Sequence, residues 1–174
     1  MKTKLQKLTS KSLIIVPALI LLVVLGSALA RPARNPVVGS GEADVYMDLG
    51  TATGLVNISI RGVQMQADVV VDIIDSYFSD EGVLHGISTH IFFFGNGNTF
   101  TTEDRVVADP TSTPGLYRLN EKLRVVSGTG IFADAVGNLT VHGWLEFISD
   151  TDALATYDIR GAISMSEDTG GGSN

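Results

Sequence analysis

The chain has 174 residues, a formal net charge of −7, an isoelectric point near 4.8, 44% apolar residues and a mean hydropathy of +0.25. These values suit a folded chain and exclude an acidic disordered tail. Without residues 1–30, four of the 12 basic residues and none of the 19 acidic ones are lost, leaving eight against 19, or −11. A charge of that sign repels phosphate backbones and anionic bilayers and argues against a nucleic-acid partner, since Arg118, Lys122 and Arg124 are the one basic cluster.

Lys2, Lys4, Lys7 and Lys11 precede an apolar run from Leu13 to Leu25, and Ala28-Leu29-Ala30 stands directly before Arg31-Pro32. That is the layout of a secretory signal peptide over residues 1–30, which predicts a secreted protein, extracellular or periplasmic, that begins at Arg31 and has no membrane partner after cleavage. The alternative is an uncleaved anchor, because the apolar stretch counted to Ala30 reaches the lower limit for spanning a bilayer. The chain has no cysteine. That excludes a disulfide framework, a thiol nucleophile and a thiolate metal site.

Residues 31–41, with Pro32, Pro36, Gly39 and Gly41, read as a linker, and residues 167–174, ending in a glycine run, read as a disordered tail. Residues 42–166 between them form one β domain. Ala67, Val69, Val71 and Ile73 alternate with Asp68 and Asp72, and Tyr117, Leu119, Leu123 and Val125 alternate with Arg118, Asn120, Lys122 and Arg124. No stretch carries a helical stripe. Strands are expected near 43–50, 54–61, 63–75, 83–94, 99–108, 116–126, 138–149 and 153–164, with turns at Gly95-Asn96-Gly97-Asn98, Asp109 to Gly115, and Asp150 to Asp152. Open edges on such long strands invite aggregation, and closure removes them. The predicted fold is therefore all-β, an eight-stranded antiparallel β-barrel whose interior is filled by side chains or holds one small ligand. A two-sheet sandwich is the alternative.

The most specific segment is Val125-Val126-Ser127-Gly128-Thr129-Gly130-Ile131-Phe132-Ala133-Asp134-Ala135-Val136-Gly137. It reads as a strand end, a glycine-rich turn and a short irregular stretch in which Phe132 and Ala135 can plug the barrel end. With Val125, Val126, Gly128, Thr129, Gly130, Phe132, Ala135 and Gly137 at their spacing, it resembles the motif of the dirigent proteins and the related allene oxide cyclase-like barrels. The resemblance implies an eight-stranded antiparallel barrel with an apolar lumen, in families that often form trimers. Dirigent proteins guide the coupling of phenoxy radicals made elsewhere, and allene oxide cyclases cyclise an unsaturated fatty-acid epoxide; neither uses a metal. The functional acids of those families lie on other strands, so the motif carries fold and no catalytic residue. The lysine-rich leader looks bacterial.

His85, His90 and His142 are the three imidazoles, and the five-residue spacing of His85 and His90 puts them on opposite faces of one strand. No metal site and no cofactor are expected. A G-x-S-x-G elbow is absent, and Gly128-Thr129-Gly130 lacks the lysine and the helix pattern of a phosphate loop. In Ile91-Phe92-Phe93-Phe94 both faces are apolar: Phe92 and Phe94 point one way, as candidates with Tyr117 for lining a ligand cavity, and Ile91 and Phe93 point the other way, toward a covering loop or subunit such as a homo-trimer neighbour. Glu121 shares parity with Tyr117, Leu119, Leu123 and Val125, which points its carboxylate into the lumen, unless a bulge turns it to solvent or an ion pair holds it at the mouth. Asp104, on the face of Phe100, Thr102 and Val106, and Tyr157, on the face of Ala153, Ala155 and Ile159, follow by the same parity. These three are the catalytic candidates, because a desolvated carboxyl is a ready general acid or base. Two functions compete. One is a barrel that binds or steers a small apolar or aromatic molecule in its lumen, with isomerase- or cyclase-type chemistry as an option. The other is a structural or partner-binding barrel acting through its outer face. A lumen of roughly a few hundred cubic ångströms with a few polar groups favours the first, and a packed lumen the second.

Overall fold

The structure, a computed structural model, describes residues 33–165. The expected leader, the first residues of the expected linker and the expected tail lie outside the described residues. Eight strands run in chain order: β1 (Arg34–Tyr46), β2 (Thr51–Ile60), β3 (Val63–Phe78), β4 (Leu84–Phe93), β5 (Thr99–Pro110), β6 (Leu116–Thr129), β7 (Val136–Phe147) and β8 (Asp152–Ser164). One short 3-10 turn, Gly130–Phe132, lies between β6 and β7. Each strand pairs antiparallel with the next, and β8 pairs back onto β1 from Arg34↔Ser164 to Tyr46↔Asp152. The sheet is a closed barrel, so the sandwich alternative falls and no long edge is left unpaired.

The expected linker is a correction. From Arg34 onward it is strand β1, hydrogen-bonded on both sides, with Val37 opposite Ile60 of β2 and Gly161 of β8. The glycines that suggested a linker are close-approach positions: a Cβ on Gly41 would lie 2.6 Å from the Leu55 carbonyl and 2.9 Å from the Tyr157 ring. The chain here lacks bulk because the barrel wall needs none. Elsewhere the eight expected strands appear with their ends moved by a few residues.

Alternation sets the interior. Ala67, Val69 and Val71 of β3, Leu119, Leu123 and Val125 of β6, and Val141 and Leu145 of β7 are buried, while their intervening neighbours face out. Two bulges interrupt it. In β3 the register shifts between Ile73 and Asp75, so Ile74 is the extra residue and Ser76 turns toward the lumen. In β6 the shift opposite Thr101/Thr102 makes Val126 the extra residue, and it brings Gly128 opposite Phe100.

At that end the barrel is plugged. Phe92, Phe100 and Phe132 are almost wholly buried, with Phe92 and Phe100 ring centroids 4.4 Å apart and Phe132 edge-on to Phe100 at 5.3 Å. The Gly128-Thr129-Gly130 turn folds Phe132 into place. Gly130 has φ +60°, and a Cβ there would meet Asn98 Oδ1, which already accepts from the Ile131 amide at 3.0 Å. Thr129 Oγ1 donates to the Gly97 carbonyl at 2.6 Å, tying this turn to the β4–β5 loop. Ala135 packs into the core, and a Cβ on Gly137 would fall on the Ala162 carbonyl.

Candidate ligand site in the barrel lumen

Above the phenylalanine plug lies a cavity of about 100 Å³. Its walls are mostly apolar, from residues such as Val71, Val106, Leu123, Val141 and Ile159, and it extends toward the opposite end of the barrel past Ser76, Leu84 and Met47. The volume lies between the two sequence expectations. The plug packs one half of the lumen and leaves the other half room for about one small ring, since an engineered apolar cavity of about 150 Å³ binds benzene.

Ser88, His90 and Glu121 bring polar atoms to these walls and join, through the His90–Asp104 bond, with Asp104 and Thr102, which are not part of the lining; the five are carried by three adjacent strands. Ser88 and His90 come from β4, Thr102 and Asp104 from β5, and Glu121 from β6, each at an inward-facing position. His90 Nδ1 lies 2.6 Å from Asp104 Oδ2 and 3.9 Å from Glu121 Oε1. Thr102 Oγ1 donates to Asp104 Oδ2 at 2.8 Å, and Ser88 Oγ donates to Glu121 Oε1 at 3.3 Å. The His90 ring stacks on Phe92 at 5.9 Å. Asp104 Oδ1 is buried without a partner, which costs about 1–3 kcal/mol for such a group.

Burial acts on these groups in opposite senses. It pushes the His90 imidazole toward its neutral form, but the Glu121 charge and the Asp104 bond and charge outweigh it, so His90 holds its proton above the ordinary histidine range. Burial raises the Glu121 carboxyl, and Asp104 adds to the rise, while His90 and the Ser88 bond offset only part of it. Tyr157, across the lumen on β8, is pushed up to about 12 by burial and by the Glu121 charge, so its phenol keeps its proton. Its ring lies against the wall where Gly41 and Gly143 are its register partners on either side.

All three catalytic candidates from the sequence face the lumen side of the barrel: Asp104 is 2% and Glu121 7% exposed, and Tyr157 lines the cavity with Glu121. Neither escape for Glu121 occurs: the β6 bulge comes only after Val125, and the side chain is buried beside His90 rather than at the mouth beside an arginine. The three ligand-lining candidates separate. Phe92 floors the cavity, whereas Phe94 packs below it against Phe100 and Phe132, at 5.4 and 4.7 Å. Tyr117 sits at the other end against Phe147 and Phe78, at 5.4 and 6.0 Å, and is not part of the cavity lining.

Sequence reasoning missed His90, Ser88 and Thr102 as members of the cluster. The signal is present in the sequence, since Ser88 and His90 share the parity of Phe92. His85 does face outward, stacked on Tyr77 at 5.1 Å, and His142 bonds Asn120 on the outside. Carboxylates on the neighbouring strands, not a second imidazole, are the partners of His90. Its donor atom and those of Asp104 and Glu121 lie within 4.8 Å of one another, the one grouping among the described residues with the donors for a metal ion. In the described structure His90 Nδ1 is engaged by Asp104 Oδ2. No family model matches the chain, and no curated protein matches it.

Proposed function

We propose that the barrel binds a small, mainly apolar or aromatic molecule in its lumen and holds that molecule's polar atom against Glu121, with His90, Asp104 and Tyr157 assisting. One observation carries this reading: five polar side chains are inward-facing, and three of them, Ser88, His90 and Glu121, line a mostly apolar cavity, at a net cost that apolar residues there would avoid. A barrel needing only a filled core has no use for an unpartnered buried carboxylate oxygen. The cavity volume limits the occupant to about a single ring or the end of a longer chain reaching in from the open side.

Further support comes from the resemblance of residues 125–137 to dirigent and allene oxide cyclase-like barrels. The lysine-rich leader ending at Ala28-Leu29-Ala30 supports export, and N-terminal sequencing of the exported protein should then begin at Arg31. The outer face supports assembly, for example as a homo-trimer: Val70, Ile87 and Phe93 are each at least 40% exposed on β3 and β4. The test of the lumen reading is extraction of the natively purified protein with organic solvent, then mass spectrometry of the extract. A small molecule should be recovered in stoichiometric amount, and it should be lost when Val141→Trp fills the cavity. Recovery of nothing, together with no protection of the protein by toluene in a thermal-shift titration, would leave only the outer-face module.

A further inference from the structure

Three lumen-lining residues each retain a polar atom that bonds none of the other described residues. His90 spends Nδ1 on Asp104 and leaves Nε2; Glu121 spends Oε1 on Ser88 and leaves Oε2; the Tyr157 hydroxyl bonds none of the described residues. These three atoms are not sealed in the core, where the orphaned atom among the described residues is Asp104 Oδ1 alone. The residues come from β4, β6 and β8 and line one cavity whose other walls are apolar apart from Ser76 and Ser88. Tyr157 is a donor, His90 is a donor at Nε2 whenever its ring is charged, and Glu121 is a carboxyl that can give or take a proton.

From this arrangement we infer that the lumen is an acid–base site for a small enolisable ketone, with the ketone oxygen received by Tyr157 and His90 and the proton on the adjacent carbon handled by Glu121. The inference rests on the lumen-binding reading above and goes beyond it in naming the reaction and the substrate class. The carbonyl oxygen accepts hydrogen bonds from the Tyr157 hydroxyl and from His90 Nε2. Glu121, as carboxylate, takes the α-proton: the C–H bond breaks, its electron pair becomes the C=C bond of an enol, and the carbonyl oxygen takes the Nε2 proton as its π pair forms the O–H bond. Asp104, fixed by Thr102, balances the imidazolium before this step. In the return step Glu121 gives its proton to the same carbon or, in a β,γ-unsaturated ketone, to the γ-carbon, and the enol proton returns to Nε2. The net change is a proton shift along the carbon frame, with no oxidant, reductant or co-reactant. Ser88 is a positioning residue that holds Oε1 and leaves Oε2 for the substrate.

Burial suits the parts to these roles. A carboxyl raised by desolvation gives a stronger base when ionised, and a phenol held near 12 stays a donor across the physiological range. Donors fixed in a low-dielectric wall stabilise a developing oxyanion more than water does. The apolar walls and the cavity of about 100 Å³ admit a five-membered cyclic ketone.

The test uses the purified protein in EDTA, with cyclopentanone and cyclopent-3-enone as probes and toluene as an apolar control of similar size. Saturation-transfer NMR reports occupancy, deuterium uptake at the α-carbon reports proton transfer, and ultraviolet absorption reports conversion to cyclopent-2-enone. The expected result is saturation transfer to cyclopentanone, with exchange and conversion above buffer that fall about 100-fold or more in Glu121→Gln while saturation transfer persists. Tyr157→Phe, which keeps the ring against its glycines, should lower exchange about 10-fold and serves if Glu121→Gln does not fold. Saturation transfer without exchange, or undiminished exchange in a folded Glu121→Gln, overturns the acid–base site and leaves the binding lumen. Toluene saturation with no response from cyclopentanone removes the carbonyl assignment alone. No saturation of either probe removes both readings.

Discussion

Glu121 owes its surroundings to parity along β6, and those surroundings set its proton affinity. Its carboxyl is raised by burial, so its contribution to stability is greatest below the unfolded value of about 4.3 and is lost as pH rises through the higher folded value. His90, also raised, adds stability below about 6.5 that is lost above it, through its own folded value. Native stability should therefore fall from acid toward alkaline pH, by at most about 1.4 kcal/mol per pH unit for each proton released. Glu121→Gln should flatten that fall and gain relative to the native protein at pH 8. Urea midpoints measured at pH 4, 6 and 8 check this, and parallel curves for the two proteins would contradict it. Gly130 is the second decisive residue. With φ at +60° and Asn98 Oδ1 where a Cβ would stand, Gly130→Val should cost about 1–3 kcal/mol, and an unchanged urea midpoint would show the turn to be tolerant.

Strands β4, β5 and β6 act as a unit because their diagonal neighbours meet inside the curved wall. Ser88 is opposite Asp104, and Val106 is opposite Glu121, so the polar groups step across three strands rather than along one. The turn after β6 has a separate role, carrying Phe132 under Phe100 to close the plug. Phe132→Ala should destabilise the barrel by about 3–5 kcal/mol, the range for a wholly buried phenylalanine. Chemical denaturation measures it, and a loss under about 1 kcal/mol would mean that this end collapses around the gap. The β3 and β6 bulges re-aim the residues just beyond them, Ser76 at the mouth and Gly128 at the plug, while leaving Glu121 in place.

For the barrel as a whole, stability must come from closure and burial, since there is no cysteine to cross-link it. Every strand has two hydrogen-bonded neighbours, and the interior is a continuous apolar cluster apart from the polar step at mid-lumen. The chain from Arg31 onward should give a β-dominated far-ultraviolet circular dichroism spectrum that strong reductant leaves unchanged. A helix-rich spectrum would contradict the fold. Packing in one half of the lumen and space in the other define a cup, with its polar group near the floor and its opening at the Met47 and Ser76 end.

Period-two alternation, with the turn residues between runs, was enough to give eight strands, whereas closure followed only from the cost of long open edges, with a sandwich left as the alternative. Alternation also gave the inward aim of Glu121, Asp104 and Tyr157, because side-chain direction on a strand is a local property of the backbone. The glycine turn was legible for the same reason: positive φ and close approach leave a mark at single positions. The start of β1 was not, since Gly39 and Gly41 are flexible in isolation and become strand only where β2 and β8 pair with them. Nor was the separation of Phe92 from Phe94 and Tyr117, because height along the lumen depends on the stagger between strands. The joining of His90 to Asp104 and Glu121 likewise awaited the tertiary structure: parity says which face a side chain takes, and only the register of neighbouring strands says whom it meets there.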